Sequence, residues 1–510
     1  MKTSILRSLP VLAVLVLLTG TQPSDAQSLQ EFEQKVTEFT LDNGLTFVVV
    51  NRPVAPVVSF VTFVDVGAAN EPVGHTGIAH IFEHMAFKGT HEIGTSNWEA
   101  EQDLLEEMDA VYQEWLQESY SPSPDSARME ELMAEFNSLQ EEAGQYVVNN
   151  QFSEIVSRNG GTGMNASTSA DQTMYFYSLP ENRAELWFSL ESARFKNPVF
   201  REFYKEKDAV REERRARESQ PTGRLVEEFL AVAYTAHPYG RSIIGWPSDI
   251  TATTMEDTRE FYETYYVPSN ITIGIAGDIT ADRARELAET YFGDIPRGPE
   301  PPPVYTKEPE QLGKRQFTIR EQSQPVLLMG YHAVAQDHPD FDDLQLLGAV
   351  ISQGRTSRLY KRMVEEEQLA LGVQALNGFP GTKFETMFMT LAIPNQGVSV
   401  DTLQSVIHEE IEKVKQGVLT QEELDRARTN IRAGLIRSLD SNMGLAQSFA
   451  AAEAQRGDWR TVFTGIDDLQ EVTLEDLQRV ARTYLTEDNL TVGTIEQPES
   501  DTTSADNTSR

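Results

Sequence analysis

Two short runs near the start of the chain, Leu45 to Val50 and Val57 to Val66, carry β-branched and aromatic residues with little polar interruption. Bounded by Asn43-Gly44 and Gly67, they read as strands. From Ile78 the period changes to that of a helix. Between Ser96 and Gly144, apolar residues fall at Leu104, Met108, Val111 and Trp115, then at Met129, Leu132, Phe136, Leu139 and Ala143. These three- and four-residue steps, broken by Ser121-Pro122-Ser123-Pro124, predict a helical hairpin whose stripe is a packing surface. Ser96 and Glu99 stand at capping-box spacing before its first helix. Further on, Pro296 to Pro303 is too rich in proline to continue a helix or a central strand, and reads as an extended linker.

The segments on either side of that linker resemble each other. At a constant offset of 219 positions, Thr254, Glu256, Asp257, Thr264, Tyr265, Asn270, Thr272 and Gly274 match Thr473, Glu475, Asp476, Thr483, Tyr484, Asn489, Thr491 and Gly493. Each copy reads as a capped helix leading through an asparagine into a strand, so two equivalent α+β halves are expected. Their expected boundaries are 27–295, with a helical insertion at 96–150, and 313–497, joined by a linker at 296–312. Residues 498–510 are polar, lack apolar anchors and read as a disordered tail.

Length supports this division, because 510 residues exceed what one hydrophobic core organises. The first residues read as a secretory signal: Lys2 and Arg7 precede an apolar run from Leu9 to Leu18, and Ser24-Asp25-Ala26 suits a cut after Ala26. A periplasmic or secreted protein without stable membrane insertion is expected. The absence of cysteine removes disulfides, thiolate metal sites and cysteine nucleophiles, so any metal must sit on histidine and carboxylates. A formal charge of −36, from 43 basic against 79 acidic side chains, disfavours nucleic acid as a partner.

Chemistry concentrates in His80-Ile81-Phe82-Glu83-His84. On a helix the two histidines stand one turn apart and reach one cation, with Glu83 alongside. Four of the eight histidines in the chain lie between His75 and His91, which makes a chance origin for this spacing less credible; His75 and His91 read as loop residues. A catalytic zinc needs a third protein ligand and an open position for water. Downstream, Phe203 to Arg214 is an acidic helix in which Glu206 and Glu213 share a face, although such a charged run is ordinarily solvated.

The motif, continuing Met85-Ala86-Phe87-Lys88-Gly89-Thr90, resembles the pitrilysin-like (M16, inverzincin) zinc metallopeptidases. So do Asn165-Ala166-Ser167-Thr168-Ser169, the Glu206 to Glu213 helix, His237-Pro238-Tyr239-Gly240 and Tyr266-Val267-Pro268-Ser269-Asn270. The layout is nearest to the two-domain, processing-peptidase-like subunits. The resemblance implies two homologous α/β sandwich halves, each a mixed or antiparallel sheet covered by helices. It implies one Zn2+ per chain on His80, His84 and Glu213, with Glu83 as general base toward zinc-bound water and Glu206 as the supporting carboxylate. Glu212 competes for the third position; register favours Glu213. Asn165 and Ala166 resemble the edge strand on which the family lays extended peptide substrates.

Two departures matter. His84 and Glu213 are 129 positions apart, longer than is usual in the family, and the hairpin accounts for the excess. Many active relatives also carry an Arg and a Tyr in the second half, supporting the substrate carbonyl. Aligned on Ser357-Arg358-Leu359-Tyr360, those positions hold Val364 and Leu371. The expectation is therefore an exported endopeptidase or oligopeptidase completed by a related subunit, in a homo- or heterodimer, that supplies Arg and Tyr. Local substitution by Arg355 or Arg358 is the alternative route. A non-catalytic zinc-binding or scaffold subunit of such a heterodimer is the alternative function.

Overall fold

A strand covered on both faces needs no alternation of polar and apolar residues, and the two early runs are used in this way. The computed structural model describes residues 32–498, so the expected signal segment and nearly all of the expected tail lie outside the described residues. Strands β1 (Val36–Thr40), β2 (Thr46–Asn51), β3 (Val57–Val64), β4 (Thr162–Thr168), β5 (Thr173–Pro180) and β6 (Ile271–Gly277) form one sheet, in the order β1-β2-β6-β3-β5-β4. A second sheet contains β7 (Arg315–Arg320), β8 (Val326–His332), β9 (Ala370–Phe379), β10 (Met387–Pro394) and β11 (Leu490–Glu496), in the order β7-β11-β8-β10-β9. From β2 onward the two orders correspond strand for strand. In each sheet one pair is parallel, β2 with β6 and β7 with β11, and the rest are antiparallel. The architecture is α+β with two mixed sheets, in agreement with the sequence.

Among the helices of the first half are α1 (Ile78–Met85), α2 (Trp98–Ser119), α3 (Ser126–Gly144), α4 (Ala184–Lys196), α5 (Phe203–Glu218), α6 (Pro221–Ala233), α7 (Met255–Tyr265) and α8 (Ala281–Phe292). The second half contributes α9 (Asp340–Ser352), α10 (Val400–Lys415), α11 (Gln421–Ser438), α12 (Asn442–Arg456) and α13 (Leu474–Tyr484). The inserted hairpin is α2 and α3, and its first cap differs from expectation by one residue. Asn97, not Ser96, accepts a hydrogen bond from Ala100 N, while the Ser96 hydroxyl donates to Tyr146 O. The matched repeat is α7–β6 and α13–β11. Thr254 with Asp257, and Thr473 with Asp476, form capping boxes, and the Asn270 and Asn489 amides donate to Tyr265 O at 2.9 Å and Tyr484 O at 2.8 Å.

The halves are bound in a way their separate sequences do not show. One face of the first sheet, through Phe47, Val49, Val58 and Phe60, packs on Trp187 and Phe188 of α4 and Phe292 of α8. Its other face, through Val48, Val50, Val61, Phe63 and Ala276, packs on Leu445, Ala446, Phe449 and Ala450 of α12, a helix of the second half. Reciprocally, Leu225, Phe229, Leu230 and Ala233 of α6 cover Val326, Leu328, Met387 and Met389 of the second sheet. The connecting segment is pinned as well: the buried Glu308 carboxylate accepts from the backbone N–H groups of Thr235, Ala236 and His237, and the Gln311 amide donates to Leu490 O.

The repeated glycine now has a physical reason. A Cβ on Gly274 of β6 would lie 2.2 Å from Ala446 O, and one on Gly493 of β11 would lie 2.6 Å from the Phe317 ring and 3.1 Å from Leu225. Gly274 lets the other half's helix press against its sheet, while Gly493 makes room first for Phe317 of the neighbouring strand and then for Leu225 of α6. Gly274→Ala is expected to cost about 1–3 kcal/mol in urea unfolding by overpacking. Gly465→Ala, a helical position with nothing within 4 Å of the added carbon, should be neutral or stabilising.

Candidate metal centre

Helix α1 begins at Gly77, whose φ of +91° and whose approach to Ile244 O, 2.5 Å from a hypothetical Cβ, exclude a side chain. The Glu71 carboxylate accepts from the N–H groups of Gly77 at 2.8 Å and Ala79 at 3.0 Å, satisfying donors that the helix start leaves free. Its burial is complete enough to push that carboxyl up to about 8 despite these bonds. Ile78, Ile81, Phe82 and Met85 are buried, with the Phe82 ring against Phe200, Tyr262 and Tyr266. His80 and His84 are left on the face turned toward α5. Helix α5 buries Phe203, Tyr204, Lys207, Val210 and Arg214 at helical spacing, which brings Glu206 and Glu213 alongside α1.

Glu213 Oε2 lies 3.6 Å from His80 Nε2 and 3.7 Å from His84 Nε2, and the two imidazole centroids are 4.9 Å apart. One ligand atom from each of the three residues falls within 4.8 Å of the others. Metal bonds of about 2.0–2.1 Å in a tetrahedral centre place ligand atoms about 3.3 Å apart, so a small contraction would close them around one ion. Two imidazoles and a carboxylate form a donor set suited to a first-row divalent cation such as zinc. Glu212 is not part of this group; it is exposed and pairs with Arg215.

Around the three, a line of hydrogen bonds runs outward. His84 Nδ1 faces Glu206 Oε2 at 3.4 Å, and Lys88 Nζ donates to Glu206 Oε1 at 2.5 Å and to Glu202 Oε2 at 3.1 Å. Charge follows this geometry. Burial pushes His80 down to about 4 against the pull of Glu213, so it is a neutral donor near pH 7. The hydrogen bond to Glu206 raises His84. Burial alone would raise Glu206, but His84 and Lys88 bring it below the usual carboxylate range. Glu83, half-buried, is raised by burial and drawn back by Thr168 at the end of β4. That raised pKa suits a proton acceptor.

Strand β4 is the edge of its sheet and lies beside α1, with exposed Asn165 and half-buried Ala166 paired to Phe176 and Tyr175. Its outer row of backbone groups has no strand partner among the described residues. In the second half, Val364 is half-buried against that half's core, and Leu371 is 61% exposed on the edge strand β9. Arg358 is held by Glu423 through two bonds of 2.7 and 2.8 Å, which removes it as a substitute donor. His75 stands 3.7 Å from Asp257, and His91 stacks on Trp98, so neither joins the centre. The sequence reading gave no role to Lys88 or Glu71. The available signal for Lys88 was its position one helical turn beyond His84.

The model of the family described as insulinase (peptidase family M16) matches residues 46–137 and 141–246, and that described as the M16 inactive domain matches 252–431. The zinc protease PqqE of Helicobacter pylori is 29% identical over 495 residues, covering 94% of this chain and 96% of that one. An uncharacterized zinc protease of Bacillus subtilis, YmxG, is 24% identical over 462 residues, covering 89% and 96%. A crystal structure of a protease from Helicobacter pylori has a TM-score of 0.75 at 28% identity, covering 91% of this chain and 99% of that chain.

Calorimetric titration of the metal-free protein with zinc should saturate at one equivalent. Glu213→Gln should weaken that binding by more than the roughly 10–100-fold expected for loss of a supporting group, and Glu212→Gln should leave it unchanged.

Proposed function

The chain belongs to the M16 peptidase family, and on that premise we propose that it is an exported zinc-dependent endopeptidase or oligopeptidase acting on extended peptides. The observation that carries this reading is the convergence of His80, His84 and Glu213, with Glu83 on the same short helix and the free edge of β4 beside it. Zinc held by those three residues would supply a Lewis acid that acidifies water and polarises a carbonyl.

The remaining roles belong to the chain's own groups. The Glu83 carboxylate accepts the proton of the water that attacks the scissile carbonyl, and returns it to the leaving amine. Glu206 accepts the Nδ1 proton of His84, which turns the Nε2 lone pair toward the metal position. Along β4, Asn165 and Ala166 offer backbone groups to an extended peptide, a mode that reads peptide shape more than side-chain identity. Export is supported by the apolar run from Leu9 to Leu18. Among the described residues no helix is long and apolar enough to cross a membrane.

Val364 and Leu371 offer no hydrogen-bond donor side chain to a substrate carbonyl. A related subunit, in a homo- or heterodimer, supplies the Arg and Tyr. The same two residues favour the second reading, in which this chain is a non-catalytic, zinc-binding or scaffold subunit of such a pair.

Quenched-fluorescent peptide libraries separate these readings. The zinc-loaded wild-type chain, alone or with its partner, should turn over peptides, while Glu83→Gln should lose at least about 10²-fold in kcat with zinc content unchanged. Turnover retained in Glu83→Gln rules out this mechanism, and zinc binding without turnover in any assembly selects the scaffold reading.

A further inference from the structure

The segment following α1 is tied down more firmly than a connection between helices requires. Lys88 is 21% exposed, and its ammonium bridges Glu202 and Glu206 at the start of α5. Its carbonyl accepts a 2.7 Å hydrogen bond from Arg201, which also donates to Ile93 O at 3.0 Å and Thr90 O at 3.2 Å. Arg201 is 1% exposed and pairs with Glu101 of α2, 0% exposed, through bonds of 2.7 and 3.0 Å. Two close approaches confirm the tightness: a Cβ on Gly94 would lie 2.6 Å from Arg201 Nη1, and one on Gly89 would lie 2.0 Å from Ile93 O. The inserted hairpin thus supplies the buried carboxylate that fixes Arg201, and Arg201 fixes the backbone that carries Lys88.

The opposite end of this line is the metal centre, since Glu206 uses one oxygen for Lys88 and the other for His84. A carboxylate held from one side only can rotate or turn to water, and the imidazole it orients then loses its preferred tautomer. We infer that Lys88 is a positioning residue of the metal centre, holding Glu206 so that Glu206 holds the ring of His84. This rests on the reading of His80, His84 and Glu213 as metal ligands. The hairpin's place in the line is that of a brace behind the site.

The test compares zinc affinity, by competition with a chromophoric chelator, in wild type, Lys88→Met and Lys88→Arg. Two further readouts are the visible spectrum of the cobalt-substituted proteins and thermal melting of the metal-free proteins. Lys88→Met keeps the apolar stem and removes the charge; it should raise the zinc Kd about 10–100-fold and shift the cobalt spectrum. Lys88→Arg, which restores a cation to both glutamates, should return the Kd to within about threefold of wild type. Melting of the metal-free variants should match wild type. Unchanged zinc affinity in Lys88→Met overturns the inference, as does Lys88→Arg binding no better than Lys88→Met. A loss of affinity matched by lower metal-free melting assigns Lys88 to general stability and overturns it too. Failure of the wild-type chain to bind zinc removes the metal-centre reading itself, and this inference with it.

Discussion

Each sheet in this protein is apolar on both faces, and neither half of the chain covers both faces of its own sheet with its own helices. The solution is an exchange: α12 of the second half lies on the first sheet and α6 of the first half lies on the second. Burying a Leu or Phe side chain contributes about 1.5–3 kcal/mol. Leu445 and Phe449 on one side, with Leu225, Phe229 and Leu230 on the other, therefore represent a sum comparable to the 5–15 kcal/mol net stability of a typical domain. The halves cannot part without exposing this surface. Polar contacts then set their orientation: Lys383 pairs with Asp65 at 2.6 Å, and Asp171 accepts from Thr382 N, Lys383 N and the Tyr239 hydroxyl.

Within that frame the candidate metal centre meets a second constraint, the placing of carboxylates next to partly buried histidines. Charges removed from water need partners close by. Glu213 has both histidines and Arg217, and Glu206 has His84 and Lys88, so each acidic group beside α1 is balanced by a named neighbour. Glu83 is the exception. It sits half-buried, with Thr168 and the charge of His84 opposing its burial, and its carboxyl is still raised. A carboxylate whose burial outweighs its partners holds a proton more readily than its neighbours do.

How much of this the sequence disclosed varies with the range of the interaction. The strands were legible because apolar runs bounded by glycine and asparagine leave few alternatives, and the hairpin because its stripe repeats at helical spacing. The cap at Asn97 was missed by one residue, since Ser96 and Asn97 are equally plausible caps on chemistry alone. The exchange of α6 and α12 was not legible, because an apolar stripe states that a helix face is buried without naming the sheet that buries it. In the site, His80, Glu83 and His84 are marked by spacing alone. Glu213 needed the family resemblance, because a helix with so many charges ordinarily faces solvent. Lys88 and Arg201 stayed hidden because their partners, Glu206 and Glu101, lie a hundred or more positions away in the chain.

The second half carries the argument about completeness. Its sheet reproduces the strand order of the first, and its edge strand β9 corresponds to β4. The equivalence is structural and does not extend to chemistry. Where the first half presents histidines and glutamates, the second presents Val364 against its own core and an exposed Leu371; Arg358 is occupied by Glu423, and Arg362 by Glu367, Glu409 and Glu410, while Arg355 is exposed. Leu371, 61% exposed on β9, whose outer edge has no strand partner among the described residues, gains nothing in water. The duplicated fold thus divides the labour, one half holding the candidate metal ligands and the other half, by exchange of helices, holding the first in shape.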